Sequence, residues 1–490
     1  MGAGASVEVG MPLVWELTEI LKNELTPDKL RGLNAGWKVQ GTGYPDSVIE
    51  DFASVLVRDE MHYEALLGYL EAQSRRFLPL LQEYHGLYSL IVEIVYRILR
   101  IRHALCLGMI ERNLGSLEGI AKLAQANAPL WIFSLNHDVL IECLAAKYRI
   151  PLHSGFGSGV ITFPRRNRSG AKIGELRAES LTEAQLAAGM MFPQPGSHGI
   201  NLLKIHGALD VFAYRDGKDL AKLLPDECSV RSIIDMLRVA EEELLYVDPR
   251  RRYPVRTTNA ITYADEAGVM QFLQRTLVAG THKFDNRHSQ VLPQGFLKQF
   301  ESNIGFVSIL ICMGYGFGDL HVNQVLRDWL ERSADSRLEI VSPGGSVPSF
   351  LLHLSPQISL FPKTASDYLD DRTQIVRSRR ELLERRLGRW FHKNRRDPDT
   401  QRKFLSFMLE RQDAFIRATL EKIGGAFGDD GSLHLKGPER TAEQFARQLL
   451  GENGTSYEAL LESFLLIYDG ESPRSVSSDS ISTIPISRQE

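Results

Sequence analysis

Short, mainly apolar runs alternate with helical hydrophobic patterns over roughly the first two thirds of the chain. The runs lie at residues 130–133, 201–205, 309–313 and 338–341, and each stops at Ser, His or Gly. A run of this length is typical of a strand that is buried on both faces of a parallel sheet. Because helical patterns separate the runs, the sequence predicts an α/β fold with a Rossmann-like parallel sheet and helical insertions.

The other regions are predicted from periodicity and composition. Residues 49–126 and 229–303 follow helical patterns and are predicted to be helical insertions, with the longest helix at about 87–113. Residues 27–48 and 151–200 contain many glycines and prolines and are predicted to be poor in regular structure. The predicted organisation is a domain over 1–360, an α-helical C-terminal region over 361–469 with helices at 375–391, 402–423 and 441–468, and a disordered Ser-rich tail over 470–490.

Three of the strand ends carry side chains suited to catalysis or binding. In open parallel sheets, ligands bind at the carboxyl edge, where helix N–H groups and loop side chains converge. Each residue also has a plain structural interpretation, such as a helix cap for Asp138, a turn for Asn136 and a structural histidine for His206. The candidates at these ends are, in chain order, Asn136, Asp138, His206 and Asp319.

Two glycine-rich turns add candidate phosphate contacts. Residues 2–6 read GAGAS and residues 314–319 read GYGFGD, and glycine lets a backbone approach a phosphate closely. Val7 stands where the dinucleotide fingerprint has its third glycine, and no ribose-binding acid follows at the expected distance. Hydride-transferring dehydrogenases are therefore disfavoured. Because a glycine loop normally follows a buried strand, either a strand lies upstream of Gly2 or the first strand is absent.

Overall composition restricts the classes of protein. The formal net charge is −4, and no run approaches the roughly 18 apolar residues of a membrane span. The four cysteines form no C-x-x-C pair, which indicates neither a zinc site nor a disulfide framework and favours a cytoplasmic location. Residues 371–403 contain 12 basic and 5 acidic residues. We interpret this stretch as a solvated helix face, with a docking surface for an acidic partner or nucleic acid as the alternative.

Taken in order, these stretches resemble the motifs of the sirtuin-like family, specifically the divergent bacterial branch that hydrolyses NAD in anti-phage defence. GAGAS is similar to the family's glycine loop, and residues 135–138 (Leu-Asn-His-Asp) are similar to its Asn-x-Asp signature. His206-Gly207 resembles the catalytic His-Gly pair, and residues 314–319 resemble the distal nucleotide-binding loop. The family's deacetylases also carry a four-cysteine zinc module, which this chain lacks. The resemblance therefore implies cleavage of NAD without a metal, rather than deacetylation.

The resemblance also implies roles for individual residues. Asn136 is expected to position the attacking water or the ribose hydroxyls, and His206 to act as the general base. Asp138 is expected to lie near the nicotinamide or to orient its loop. The residues implied to contact NAD are Gly2, Ala3, Gly4 and Ser6 at the diphosphate and adjacent ribose, and Gly314, Tyr315, Gly316 and Asp319 on the adenosine side.

The activity implied by the resemblance is that of an NAD glycohydrolase, which releases nicotinamide and ADP-ribose and depletes NAD in abortive infection. Members of the family are commonly restrained by oligomerisation or by a partner. A homo-oligomer and a HerA-like ATPase or Argonaute-like partner are therefore expected, with no membrane contact and nucleic acid involved only indirectly. The competing interpretations are a non-catalytic NAD or ADP-ribose sensor and a zinc-free NAD-dependent deacylase.

Overall fold

The computed structural model describes residues 1–157, 159–277, 294–410, 425–427, 433–435 and 453–469. Contacts divide the chain into two units, Met1–Ile375 and Val376–Glu490. The division therefore falls after Ile375, whereas the sequence predicted it at residue 360.

The secondary structure of the described residues is as follows. The helices are α1 (Val14–Glu24), α2 (Pro27–Val39), α3 (Asp46–Leu56), α4 (Tyr63–Arg76), α5 (Leu81–Leu105), α6 (Leu107–Asn113), α7 (Glu118–Ala126), α8 (Leu140–Tyr148), α9 (Glu183–Ala188), α10 (Val230–Glu243), α11 (Gly295–Asn303), α12 (Leu320–Arg332), α13 (Ala365–Thr373), α14 (Arg379–Lys393), α15 (400–410) and α16 (Asn453–Tyr468). The strands are β1 (Leu130–Ser134), β2 (Leu152–His153), β3 (Val160–Arg166), β4 (Lys172–Leu181), β5 (Ile200–Lys204), β6 (Val211–Tyr214), β7 (Asp219–Leu223), β8 (Ala260–Ala264), β9 (Met270–Arg275), β10 (Ile309–Met313), β11 (Arg337–Val341), β12 (Ile358–Phe361), β13 (Gly425–Phe427) and β14 (Leu433–Leu435).

Two three-stranded parallel sheets form the framework of the first unit. β5 lies between β1 and β2, and β11 lies between β10 and β12. Met1 lies beside β1, because its nitrogen donates to the carbonyl of Phe133 (2.6 Å) and its carbonyl accepts from the N–H of Leu135 (3.0 Å). The N–H of Gly2 donates to the carbonyl of Met313 at the end of β10 (3.0 Å). The α/β fold class is confirmed, and Met1 and Gly2 link the ends of β1 and β10 through these hydrogen bonds.

A six-stranded antiparallel sheet of order β3-β4-β7-β6-β9-β8 was not predicted from the sequence. Residues 151–200 contain β3, β4 and the short helix α9, so the prediction of little regular structure was wrong there. The described residues 229–277 and 294–303 contain β8 and β9 between α10 and α11, so the prediction of a mainly helical insertion was wrong there, and residues 278–293 lie outside the described residues. The alternation is visible in β4, where Leu176 and Ala178 are buried and Arg177 is exposed.

The helical part of the first unit is largely as predicted. Residues 49–126 are confirmed as helical, although the expected long helix is interrupted at Cys106 and divided into α5 and α6. Residues 27–48 hold α2 and the start of α3, so the loop prediction was wrong there. Thr26 caps α2 by accepting the N–H of Lys29, and Pro27 fits the first turn because its missing N–H needs no partner.

The second unit has its own small core. Aromatic and leucine side chains of α14, α15 and α16 bury one another, and they are Leu383, Trp390, Phe407, Leu461, Phe464 and Leu465. The helical character of the C-terminal region is confirmed for these three helices, and β13 and β14 form an additional antiparallel pair. Residues 411–423, 441–452 and the predicted tail 470–490 lie outside the described residues. Among the described helices, none has the length and apolar content needed to cross a bilayer.

Candidate functional site at the carboxyl edge of the parallel sheet

The register of β1 and β5 places Asn136 beside His206. Ser134 pairs with Lys204 at the ends of these parallel strands, and the N–H of Ile205 donates to the carbonyl of Ser134 (2.9 Å). Asn136 and His206 each follow the paired residues by two positions. Neighbouring strands are about 4.8 Å apart, so both residues emerge at the same edge of the sheet. The structure thus places Asn136 and His206, two of the three residues that the sequence singled out as catalytic, at the same edge of the sheet.

Asn136 and Asp138 are connected through the glycine loop at residues 2–6. The side-chain amide of Asn136 donates to the carbonyl of Gly2 (3.1 Å) and to Oγ of Ser6 (2.9 Å). Ser6 Oγ in turn donates to Oδ2 of Asp138 (2.8 Å). Because an amide nitrogen has two N–H donors and both have acceptors here, Oδ1 is the atom with which Asn136 can accept a hydrogen bond from a water or a ribose hydroxyl.

Asp138 also serves the helix that follows it. Its Oδ1 accepts the N–H of Leu140, the first residue of α8, at 3.2 Å. The N-cap residue of α8 is Val139, so Asp138 lies one position before the cap. One oxygen of Asp138 contacts the start of the helix, and the other contacts Ser6. Asp138 is 8% exposed, so it is positioned as a structural element of the site and is not open to bulk water.

His206 lies against Asp319 from the distal loop. Their atoms Nε2 and Oδ2 are 2.9 Å apart, and both side chains are buried. Oδ1 of Asp319 accepts the N–H groups of His321 (3.0 Å) and Val322 (3.1 Å), which makes Asp319 the N-cap of α12. The family resemblance assigned Asp319 to the adenosine side of NAD, whereas the structure places its carboxylate at the proposed catalytic histidine.

The two glycine loops pack directly on each other. The N–H of Gly4 donates to the carbonyl of Gly314 (3.0 Å), and Gly314 has a φ of 62°. A Cβ added at Gly2 would lie 2.6 Å from the Gly314 carbonyl oxygen, and one added at Gly4 would lie 2.8 Å from the Gly314 Cα. A Cβ at Gly316, in contrast, would have no neighbour within 4 Å. Gly2, Gly4 and Gly314 are therefore required for loop packing, while Gly316 faces open space.

Ala3 and Tyr315, the other predicted contacts in these loops, form hydrogen bonds within the protein. Ala3 begins a 3-10 turn, Ala3–Ala5, and its carbonyl accepts the N–H of Ser6 (3.1 Å). The hydroxyl of Tyr315 donates to Oδ1 of Asn323 on α12 (2.8 Å) and is close to the Asp319 carbonyl (3.2 Å). Burial raises the pKa of Tyr315, and the charge of Asp319 acts in the same direction. Tyr315 therefore fastens the loop to α12.

His137 and Gly207 connect the segments that carry Asn136 and His206. The carbonyl of His137 accepts the N–H of Leu209 (3.0 Å), and His137 Nδ1 is 3.4 Å from the carbonyl of Gly207. Gly207 has a φ of 80°, and a Cβ there would lie within 3.0 Å of the Thr276 carbonyl oxygen. Only glycine fits this position without strain. The segment after β1 is thus fixed to the turn that carries His206.

A buried charge cluster beneath the site was missed from the sequence. Lys204 Nζ donates to the carbonyl of Asp138 and lies 3.0 Å from Glu142, which is itself 3.3 Å from Lys222. Lys222 also pairs with Asp210. Burial opposes the charge of Asp210, but Lys222 and Lys204 outweigh it and lower the pKa of that carboxyl. Charged residues inside apolar runs, such as the lysine of NLLKI, were the available sequence signal.

His103 supports the same segment from α5. Its Nδ1 is 2.8 Å from the carbonyl of Leu99, and its Nε2 accepts the N–H of Val139, directly after Asp138, at 3.3 Å. These contacts require the neutral ring with its proton on Nδ1. Burial lowers the pKa of His103 in agreement with this state, although Asp138 acts in the opposite direction.

A cleft of about 320 Å³ opens beside Gly207 and Lys204. Its other lining residues are Ser154, Phe156, Leu202, Val211, Lys222 and Phe296. Among the described residues, no group of three or more His, Cys, Asp or Glu side chains is arranged to hold a metal ion.

No protein-family model matches the chain, and no curated protein matches it either. The class of the protein is therefore given by its own architecture. It is an α/β protein with a polar site where the carboxyl ends of β1, β5 and β10 meet.

Proposed function

We propose that the protein is a sirtuin-like NAD glycohydrolase that cleaves the bond between nicotinamide and ribose. The observation that carries this proposal is the convergence of Asn136 and His206 at the carboxyl edge of a parallel sheet, next to two glycine loops. This edge is where α/β proteins bind nucleotides. The resemblance of the same four stretches to sirtuin-like motifs supports NAD as the substrate.

The proposed reaction converts NAD and water into nicotinamide, ADP-ribose and a proton. The bond between C1′ and the pyridinium nitrogen breaks, and its electron pair neutralises the leaving nicotinamide. Water then attacks C1′ of the oxocarbenium-like ribose, with Asn136 Oδ1 accepting a hydrogen bond from the water or from a ribose hydroxyl. His206 takes the proton, a task suited to an imidazole because its ordinary pKa of about 6.5 is close to neutral pH.

The test is incubation of the purified full chain with NAD, with nicotinamide and ADP-ribose separated by chromatography. We expect release by the wild type and a loss of at least about 100-fold in His206→Ala and Asn136→Ala, as for removal of a general base or a positioning group. His198→Ala and Asn127→Ala are matched controls. Both residues are exposed, and they lie just before the amino ends of β5 and β1, away from the carboxyl edge. These controls should retain wild-type rates.

The other outcomes separate the competing functions. Binding of NAD without release of nicotinamide would favour a sensor, and release only with an acylated peptide would favour a deacylase. Equal activity in wild type and His206→Ala would refute the proposed site. Circular dichroism of each variant establishes that a loss of activity is not a loss of folding.

We further propose that the enzyme acts in the cytoplasm as an effector of anti-phage defence, as a homo-oligomer and with a HerA-like ATPase or another defence protein as its partner. The family resemblance alone supports this part of the proposal. Light scattering of the purified chain tests oligomerisation, and the rate of NAD loss with and without the co-expressed ATPase tests the partnership. A monomer whose rate does not respond to the ATPase would contradict it.

A further inference from the structure

The two oxygens of the Asp319 carboxylate have different partners. Oδ1 of Asp319 receives two backbone N–H groups at the start of α12, at 3.0 and 3.1 Å. The other oxygen, Oδ2, lies 2.9 Å from Nε2 of His206. Two amide donors and a helix N-terminus stabilise a carboxylate charge and hold its plane. Asp319 is therefore a fixed anion at ion-pair distance from one nitrogen of the imidazole.

We propose that Asp319 is a positioning residue for His206, which keeps the ring proton on Nε2 and leaves Nδ1 as the basic nitrogen. The proposal rests on the proposed NAD hydrolysis for its catalytic meaning. A buried carboxylate that holds the tautomer and orientation of a catalytic histidine is a recurrent device in enzymes. Asp319 does not itself take up the proton: Nδ1 accepts it from the attacking water, and the carboxylate stabilises the imidazolium that forms.

Three polar groups on the segments that adjoin His206 have partners of their own. After β1, His137 contacts the carbonyl of Gly207, and in the distal loop the hydroxyl of Tyr315 donates to Asn323 on α12. Lys204 precedes His206 by two residues, and its ammonium lies at Glu142 and at the carbonyl of Asp138. Asp319, in contrast, forms an ion pair with His206.

The Asp319→Asn variant removes the charge of this residue and keeps its role as the N-cap of α12. Asparagine is as good an N-cap as aspartate, so α12 should keep its N-terminus while the anion is lost. Asp319→Ala loses both. Ser229→Ala is the matched control for capping alone, because Ser229 caps α10 by accepting the N–H of Ser232 at 3.1 Å and is far in sequence from the proposed site.

The kinetic expectation is a loss in kcat and not in substrate affinity. We expect Asp319→Asn to lower kcat by about 100- to 10,000-fold with little change in KM. The acid limb of its pH–rate profile should move to lower pH, since a neighbouring carboxylate favours the protonated imidazole and its removal favours the neutral one. If Asp319 instead held the adenosine ribose, the same variant would raise KM and leave kcat and the limb unchanged. That result would overturn the proposal.

A second measurement does not depend on turnover. In protein with ¹⁵N-labelled histidine, and without NAD, the imidazole shifts of His206 report which nitrogen carries the proton, with His206→Ala providing the assignment. We expect the Nε2–H form in the wild type and a changed tautomer or titration midpoint in Asp319→Asn. If the wild type hydrolyses no NAD, the proposed function fails, and this spectrum still decides the coupling. Identical His206 spectra in wild type and Asp319→Asn would overturn it.

Discussion

Lys204→Met tests whether the buried charge cluster holds the segments of the candidate site in place. Methionine has nearly the length of lysine without its charge. The change removes the contact with Glu142 at 3.0 Å and the hydrogen bond to the carbonyl of Asp138. Lys204 is 8% exposed, so water cannot substitute for the lost ammonium. We therefore expect a large loss of stability from this single substitution.

The magnitude follows from what remains around Glu142. Removal of one partner from a buried ion pair costs about 3–5 kcal/mol, because the other charge is left uncompensated. Lys222 stays 3.3 Å from Glu142 and limits this penalty, so we expect the lower end of the range, about 3 kcal/mol. Such a loss is a substantial fraction of the roughly 5–15 kcal/mol that stabilises a typical protein.

The assay is urea unfolding followed by circular dichroism, with the same substitution at an exposed ion pair as control. Lys172 lies 2.9 Å from Glu175 and 3.1 Å from Glu266, but its side chain is 40% exposed. Lys172→Met should therefore move the unfolding midpoint very little, because exposed ion pairs contribute little to stability. A shift in the unfolding midpoint no larger for Lys204→Met than for Lys172→Met would show that the buried cluster does not stabilise the fold.

The remaining predictions concern backbone fit and acid stability. Gly207 and Gly268 have nearly equal φ values, 80° and 79°, but only at Gly207 would the Cβ of an alanine lie near another residue, at the Thr276 carbonyl. In the urea assay, each variant should lose about 1–2 kcal/mol of unfolding free energy because of its left-handed backbone. Gly207→Ala should lose clearly more than Gly268→Ala because of the close contact, and equal losses would contradict that contact. Because burial lowers the pKa of His103, the unfolded chain binds protons below about pH 6.5 before the folded protein does, so stability falls between pH 7 and pH 5. His103→Gln should show a smaller fall than wild type or the exposed-site control His198→Gln, and an equal fall would contradict a neutral buried His103.

The position of Asn136 and His206 at one sheet edge was predictable, because it follows from the parallel direction of two paired strands. Parallel neighbouring strands end at the same edge, so residues just beyond two such strands meet wherever the strands are paired. The pairing of His206 with Asp319 was not predictable in this way. It depends on how the distal loop turns after β10, and the sequence gives Asp319 an adequate explanation as a helix cap.

The unpredicted antiparallel sheet was hidden by its composition. β4 alternates buried and exposed residues, but Gly174 and the glycines before β3 favoured a loop interpretation. β7 is buried along its whole length, although Asp219 and Lys222 lie within it, because Lys222 pairs with Asp210 and Glu142. A strand whose polar residues are satisfied by distant partners has no apolar pattern in the sequence, so only the folded structure reveals it.

The glycine loops are the clearest case in which one sequence pattern has two physical causes. The N–H groups of Gly2 and Gly4 already donate to Met313 and Gly314, and that of Ser6 donates to Ala3. A backbone group that is hydrogen-bonded within the protein cannot also cradle a phosphate without losing its partner. The loop at residues 2–6 therefore contributes chiefly by holding Asn136 through the carbonyl of Gly2 and Oγ of Ser6. The open surroundings of Gly316 make the distal loop the better candidate for direct contact with a dinucleotide.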